Sequence, residues 1–285
     1  MITVGRLAPK DQWDQNVLDR LFDNTLWPTG IDFRRVDGYP TKVDGCVLII
    51  PGRYWHEKPN AISEAISAYE WVLAVRTGDE ENLFDVERVY HRNIKWWVQT
   101  PDPERDYGDA RLFGCGFPPH FNNLTRQPRD TDVFLSGQVT HRRREECFAA
   151  VRKSWAGKKL NMTKGFTLGM DRPEYVQWMC RAKIGPAPSG PESPDSFRLF
   201  EALESHTIPI ADDLSPKSSG PGFWRTVFPD APFPIITDYQ NLPGYVEDQL
   251  NGWPANANRI TAWWIAQKRL MAKNLRADLT ELGAL

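Results

Sequence analysis

The stretch Lys183–Asp213, KIGPAPSGPESPDSFRLFEALESHTIPIADD, is the most informative part of the chain. Its opening residues read as a strand that ends in a loop of Pro, Gly and Ser. Ser193, Asp195 and Ser196 follow, all residues whose side-chain oxygens cap helices by accepting from a nearby backbone N–H. The spacing of Leu199, Phe200 and Leu203 predicts a helix over Ser196–His206, and Thr207–Ala211 predicts another strand. Strand, loop, helix and strand in this order form one βαβ unit of a parallel sheet. The unpaired N–H groups and positive dipole end at such a helix N-terminus make an anion site. Ser193 and Ser196 add hydroxyl donors, and Arg198 brings a cation into the first turn. Glu201 stands five residues past Ser196, about 7.5 Å along the axis. From there a carboxylate can accept both hydroxyl hydrogen bonds of a ribose whose phosphates sit at the helix end.

Working outward, short apolar runs alternate with helical patterns. Cys46–Pro51 (CVLIIP) reads as a buried strand and Ala61–Tyr69 (AISEAISAY) as a helix, with further strands at Trp71–Arg76, Ile94–Gln99 and Arg111–Cys115. A second series opens at Val133–Gly137 and continues through a helix near Arg142–Lys153, an extended piece near Leu160–Thr167, a helix over Pro173–Arg181 and a strand at Ala182–Ala187. Gly116–Asp130 (GFPPHFNNLTRQPRD) breaks the alternation with Pro, Asn and charge, which marks a linker between two domains. The loops Gly185–Asp195 and Leu214–Gly222 follow predicted strands, where α/β proteins carry their ligand loops. Ala257–Leu282 reads as one long amphipathic helix with Ile260, Trp263, Trp264 and Leu270.

With 285 residues, 41% hydrophobic and 25% charged, the chain can hold two domains and is ordinary for a protein folded in water. The N-terminal MITVGRLAPKDQWDQ has no apolar signal core, and no run approaches the ~20 apolar residues of a membrane span. A cytoplasmic protein without a membrane partner is the expectation. Cys46, Cys115, Cys147 and Cys180 show neither paired nor zinc-ligand spacing and read as free, buried thiols. Twelve Trp are read first as core, although indoles also stack on sugars and bases. The net charge is −2, yet Val139–Lys183 holds eleven Lys/Arg against four acids, a local +7 that points to a polyanionic ligand such as a diphosphate or nucleic acid.

Ser196, Arg198, Glu201, Ala202, Ile208, Pro209 and Ile210 resemble the donor-binding signature of GT-B glycosyltransferases of the exostosin-like family. The signature covers about thirty residues, and the chain departs from it at Ser205–Thr207, where the family has Gly-Cys. The resemblance implies two Rossmann-like domains facing across a cleft, with boundaries near 1–125 and 126–255, and a helix over 256–285 crossing back to the N-terminal domain. It implies a nucleotide-sugar donor, UDP-linked by first expectation, and transfer of a hexosyl or pentosyl group without a metal. In such enzymes the first strand of the C-terminal domain ends in a Gly-containing loop near the donor phosphates. That role falls here to Gly137 in VFLSGQVTHRRR, with Arg142, Arg144 and Lys164 supplying positive charge and Ser193, Ser196, Arg198 and Glu201 completing the donor site.

The N-terminal domain is then expected to bind the acceptor, whose hydroxyl needs a general base. His56 after CVLIIPGRYW, and Asp79 and Glu80 after WVLAVRTG, are the candidates. The acceptor is a hydroxymethylated pyrimidine in phage-type modified DNA, where the target base must be exposed, or else a glycan or small molecule. No HExxH supports a metal enzyme, no GxGxxG a dinucleotide oxidoreductase, and no GxSxG an α/β-hydrolase. The alternative is a non-catalytic nucleic-acid-binding protein using the basic 139–183 region, for which no RRM, KH, zinc-finger or helix-turn-helix signature is present.

Overall fold

The computed structural model describes all residues except 8–15, 23, 25–27, 82–88, 90, 123, 164 and 166–167, and at 16, 17 and 19 the backbone alone. The chain divides into unit 1, Met1–Cys115 with Ala266–Leu285, and unit 2, Gly116–Ile265.

Unit 1 contains β1 (Ile2–Arg6), α1 (Asn16–Phe22), β2 (Phe33–Asp37), β3 (Gly45–Pro51), α2 (Gly52–Glu57), α3 (Pro59–Ser67), β4 (Trp71–Thr77), β5 (Ile94–Gln99) and β6 (Arg111–Phe113). Its six strands pair in parallel in the order β2-β1-β3-β4-β5-β6. β3 is buried along its whole length, because a central parallel strand is covered on both faces and so reads as a continuous apolar run. Cys46, Leu48 and Ile50 share a core with Ile62 and Ile66 of α3, which lie one turn apart on a single helix face. α3 starts with Pro59 at a position whose N–H has no partner to lose.

Unit 2 holds β7 (Thr131–Gln138), α4 (Arg142–Lys153), β8 (Lys158–Thr163), α5 (Arg172–Arg181), β9 (Ala182–Ala187), α6 (Phe197–Glu204), β10 (Ile208–Asp212), α7 (Phe223–Val227), β11 (Ile235–Ile236) and α8 (Leu242–Asn251). Its sheet, also parallel, runs β11-β10-β9-β7-β8. Counted from the first strand of each unit, both sheets have the order 2-1-3-4-5, which unit 1 extends by a sixth strand. The last helix, α9 (Ala255–Glu281), contributes its first part to unit 2 and the part from Ala266 to unit 1. In unit 1 it is held by buried Asp278, which accepts from Trp97 Nε1 (2.8 Å) and Arg111 Nη2 (3.0 Å).

The helices foreseen at Arg142–Lys153 and Pro173–Arg181 stand as α4 and α5, and the strand foreseen at Ala182–Ala187 is β9. β1 and β2 were not foreseen. ITVGR is five residues long, and the edge strand FRRVD carries three charges without clean alternation. The turn after α6 explains the Ser205–Thr207 departure. His206 N donates to Leu203 O (3.2 Å) and Thr207 N to Ala202 O (2.9 Å), a Schellman ending with His206 at φ +58° where glycine is the usual residue. Most described tryptophans are structural: Phe200 of α6 lies edge-on to Trp224 (6.1 Å) and tilted against Trp264 (5.9 Å) in an aromatic cluster beside the sheet. The four cysteines are free and buried. No helix of the described residues is long and apolar enough to cross a membrane.

Candidate functional site

In a 2-1-3-4-5 sheet the crossovers reverse direction between the first and third strands, and ligands bind beyond the C-terminal ends of that pair. In unit 2 the pair is β7 and β9, so the crevice is bordered by residues 139–141 and 188–196. α6 follows the second of these loops and packs on β9 and β10. Of the three predicted caps, Ser196 is the N-cap, its Oγ accepting from Arg198 N at 3.4 Å. Ser193 Oγ accepts from Asp195 N at 3.3 Å. Both hydroxyls keep their own protons to donate. Ser189, Ser193, Asp195 and Ser196 are all buried. Gly190 allows a close approach of the loop to itself, since a Cβ would lie 3.1 Å from the carbonyl oxygens of both Ser193 and Asp195.

Arg198, in the first turn of α6, is held from one side. Its Nη1 donates to Tyr175 Oη (2.8 Å) and to Glu201 Oε2, and Tyr175 Oη donates to the same carboxylate oxygen at 2.6 Å. The guanidinium also lies 4.8 Å from the Tyr175 ring centroid. Burial pushes the Tyr175 phenol well up, so it stays protonated. Burial opposes the charge on Arg198, but Glu201 and Tyr175 outweigh it and hold the guanidinium cationic. The opposite edge faces Gly137 at the end of β7, where a Cβ would lie 3.4 Å from Nη2 and 3.7 Å from Nε. Nε and Nη2 form the side-on fork that binds two oxygens of a phosphate or carboxylate. Among the described residues neither has an acceptor, and the Arg198 side chain is 26% exposed, against 4% for Glu201.

The basic run after β7 separates by helical geometry, successive residues pointing about 100° apart. Arg142 is 88% exposed and pairs with Glu146 (2.7 Å) one turn on. Arg143 binds buried Asp212, which also accepts from Tyr239 Oη (2.7 Å). Only Arg144 turns to the crevice, donating from Nε to Ser189 O (3.0 Å) and from Nη1 to Gln138 O (3.2 Å). His141 Nε2 shares the Ser189 carbonyl at 3.2 Å. As a carbonyl only accepts, the ring is assigned the Nε2–H tautomer, leaving Nδ1 an acceptor. Burial and then the Arg144 charge lower the His141 pKa and favour this neutral form. Nδ1 of His141 and Oγ of Ser189 are buried without a partner among the described residues. Lys164 lies outside the described residues.

The local +7 is partly offset by acids beyond the 139–183 window. Asp212 takes Arg143, Asp130 takes Arg181 and Asp132 takes Lys183.

The unit 1 candidates all follow neighbouring parallel strands on the C-terminal edge of its sheet. His56 is exposed on α2 after β3. Asp79, two residues past β4, is buried and paired with fully buried Arg76 at 3.1 Å. Gly52 makes room for Asp79, since a Cβ there would fall 2.5 Å from the Asp79 Cβ. Arg76 also donates to Gln99 O (2.8 Å) and Thr100 O (3.2 Å), and burial lowers its pKa. Glu80 is half-buried beside this pair. No group of three or more His, Cys, Asp or Glu able to hold a metal occurs among the described residues.

Sequence reasoning missed Tyr175 and Ser189. Tyr175 is 26 residues from Glu201 with no motif linking them, and Ser189 is one of three serines in a loop. The crevice brings Gly137, Arg144, Ser196, Arg198 and Glu201 together and leaves Arg142 outside.

No family model and no curated protein matches the chain. Among solved structures, an α1,3-fucosyltransferase with GDP-fucose is similar at 12% identity, covering 91% of this chain and 81% of that one, with a TM-score of 0.42. A second α1,3-fucosyltransferase structure is similar at 10% identity over 93% of this chain and 81% of that one, with a TM-score of 0.46.

Proposed function

We propose that the chain is a nucleotide-sugar-dependent glycosyltransferase of GT-B architecture whose donor diphosphate binds at the N-terminus of α6. The observation that carries this reading is Arg198. Its Nη1 is spent on Tyr175 and Glu201, which fixes the plane of the guanidinium, and the Nε–Nη2 fork remains free beside Gly137. A fork held beside a capped helix N-terminus at a switch point suits a diphosphate. Ser193 and Ser196 donate their hydroxyl protons to the same group. Ser189 Oγ and His141 Nδ1 support a polar ligand, since each buried polar atom left unpaired costs about 1–3 kcal/mol. Glu201 acts first as the residue that orients Arg198, and its ribose contact falls to Oε1.

In the reaction an acceptor hydroxyl oxygen bonds to the anomeric carbon while the bond from that carbon to the diphosphate breaks. The hydroxyl proton passes to a base, and the charge gained by the leaving diphosphate is stabilised by Arg198 and the α6 N–H groups. Unit 1 is assigned the acceptor. His56 is its most accessible candidate base, whereas Asp79 is held by Arg76 and Glu80 stands next to that pair. The donor is taken as a UDP-sugar and the acceptor as a hydroxymethylated pyrimidine of DNA or a glycan.

Thermal shift tests the reading. UDP at about 100 times its Kd stabilises a binding protein by about 2.7 kcal/mol. UDP, GDP and other nucleoside diphosphates would be compared with oligonucleotides. A response to oligonucleotides alone sinks the donor assignment.

A further inference from the structure

Unit 2 carries a second exposed surface, along the β8 edge of its sheet. β8 is an edge strand, paired only to β7; Lys158 at its start lies at the end of the sheet opposite the α6 N-terminus, and Met162 near its end lies beside Gly137. From Cys147 to Met170 the sequence contains no Asp or Glu, in a protein whose net charge is −2. Arg152 and Lys153 close α4, and Lys158 and Lys159 open β8. Arg152, Lys153 and Lys158 are exposed. Of the acids around this run, Asp132 is paired with Lys183 and Asp130 with Arg181, while Glu174 accepts from Trp178 Nε1.

Between these cations stands Trp155, 67% exposed; Met162 (44%) follows on β8, and Leu168 (72%) comes after the strand. Seven large hydrophobics are exposed among the described residues, two of them at the chain ends, and these three fall within fourteen positions. An exposed indole with cations alone would suit a nucleic acid, by stacking and phosphate contact. Exposed Leu and Met side chains gain nothing against a phosphodiester. They gain by entering the acyl boundary of a bilayer, where Trp prefers the headgroup level and Lys and Arg stems reach anionic phosphates.

We propose that the β8 edge, with Trp155, Met162 and Leu168 among Arg152, Lys153, Lys158 and Lys159, docks on an anionic lipid surface. The docking is peripheral and uses none of the side chains assigned to the nucleotide.

Co-sedimentation of the full chain with phosphatidylcholine vesicles, with and without phosphatidylglycerol, tests this. Binding is expected to the anionic vesicles only and to weaken with salt. Lys153→Gln and Lys158→Gln should each weaken it about fivefold, and Trp155→Ser with Leu168→Ser should abolish it at moderate salt. All four substitutions are at exposed positions, so melting temperature and the nucleoside diphosphate response should stay as in the parent chain. Equal binding to neutral vesicles overturns the proposal, as does vesicle binding untouched by the variants. Loss of oligonucleotide binding in Trp155→Ser without any vesicle binding overturns it in favour of nucleic acid.

Discussion

Tyr175 Oη donates a 2.6 Å hydrogen bond to Glu201 Oε2, tying α5 to α6 beneath the guanidinium of Arg198. Because the phenol and the guanidinium meet on one carboxylate oxygen, removing Glu201 affects both. Glu201→Ala is expected to lower stability by about 1–3 kcal/mol and nucleoside diphosphate affinity by a similar amount. Glu201→Gln should fall between, and Tyr175→Phe should cost about 1 kcal/mol of stability while leaving nucleotide binding near the parent value. Calorimetry with the nucleotide, set beside chemical denaturation, separates these. If Glu201→Ala binds nucleotide like the parent chain, Arg198 is not the diphosphate ligand.

Arg198→Ala removes the fork while leaving Tyr175 and Glu201 bonded to each other. Donor KM should rise at least tenfold, in line with about 1.5–3 kcal/mol for a charge-assisted contact. Lost stability with unchanged donor KM would make Arg198 a structural ion-pair partner only.

His141 predicts a pH effect. Its folded pKa is depressed by burial and by Arg144, so the unfolded chain binds more protons between that value and about 6.5. Stability from this group is therefore full above about pH 6.5 and declines as pH falls toward the folded pKa. His141→Gln keeps a neutral donor for Ser189 O, and its stability curve should be flatter over that window in urea titrations at a series of pH values. A parallel curve would show that His141 does not contribute.

Asp278→Ala should destabilise unit 1 by about 1–3 kcal/mol, because the buried Trp97 indole and the half-exposed Arg111 guanidinium lose their common acceptor. Circular dichroism during denaturant titration measures it, and a change under 1 kcal/mol would refute the role.

His206→Gly should raise stability by about 0.5–1 kcal/mol, since the C′ position of the Schellman turn holds φ at +58°. A loss of stability on calorimetric melting would mean that the imidazole's own contacts outweigh the backbone strain.

Much of the strand and helix placement rests on signals visible in the sequence. The apolar run CVLIIP reads as a buried strand, and the Pro/Ser/Gly loop ahead of Phe197 as a strand-to-helix turn. The cap at Ser196 and the placement of Arg198 and Glu201 on one helix followed from local spacing. What was not legible depends on tertiary partners. Tyr175 reaches Glu201 only because α5 and α6 lie close together in unit 2, and Arg142 and Arg144 look equivalent until helical phase turns one outward. The charge window misled in part, as Asp130, Asp132 and Asp212 lie outside it in sequence but against it in space. Short β1 and the polar edge strand β2 offer too few residues for a period to emerge.

The discontinuity of unit 1 bears on how the chain is made. Met1–Cys115 leaves the ribosome long before Ala266–Leu285, with all of unit 2 synthesised in between. Until Asp278 arrives, Trp97 and Arg111 lack the acceptor they share in the finished unit. Unit 2 is contiguous and can finish first. The order of synthesis therefore need not be the order of completion, and the last twenty residues close a unit whose other residues were made first.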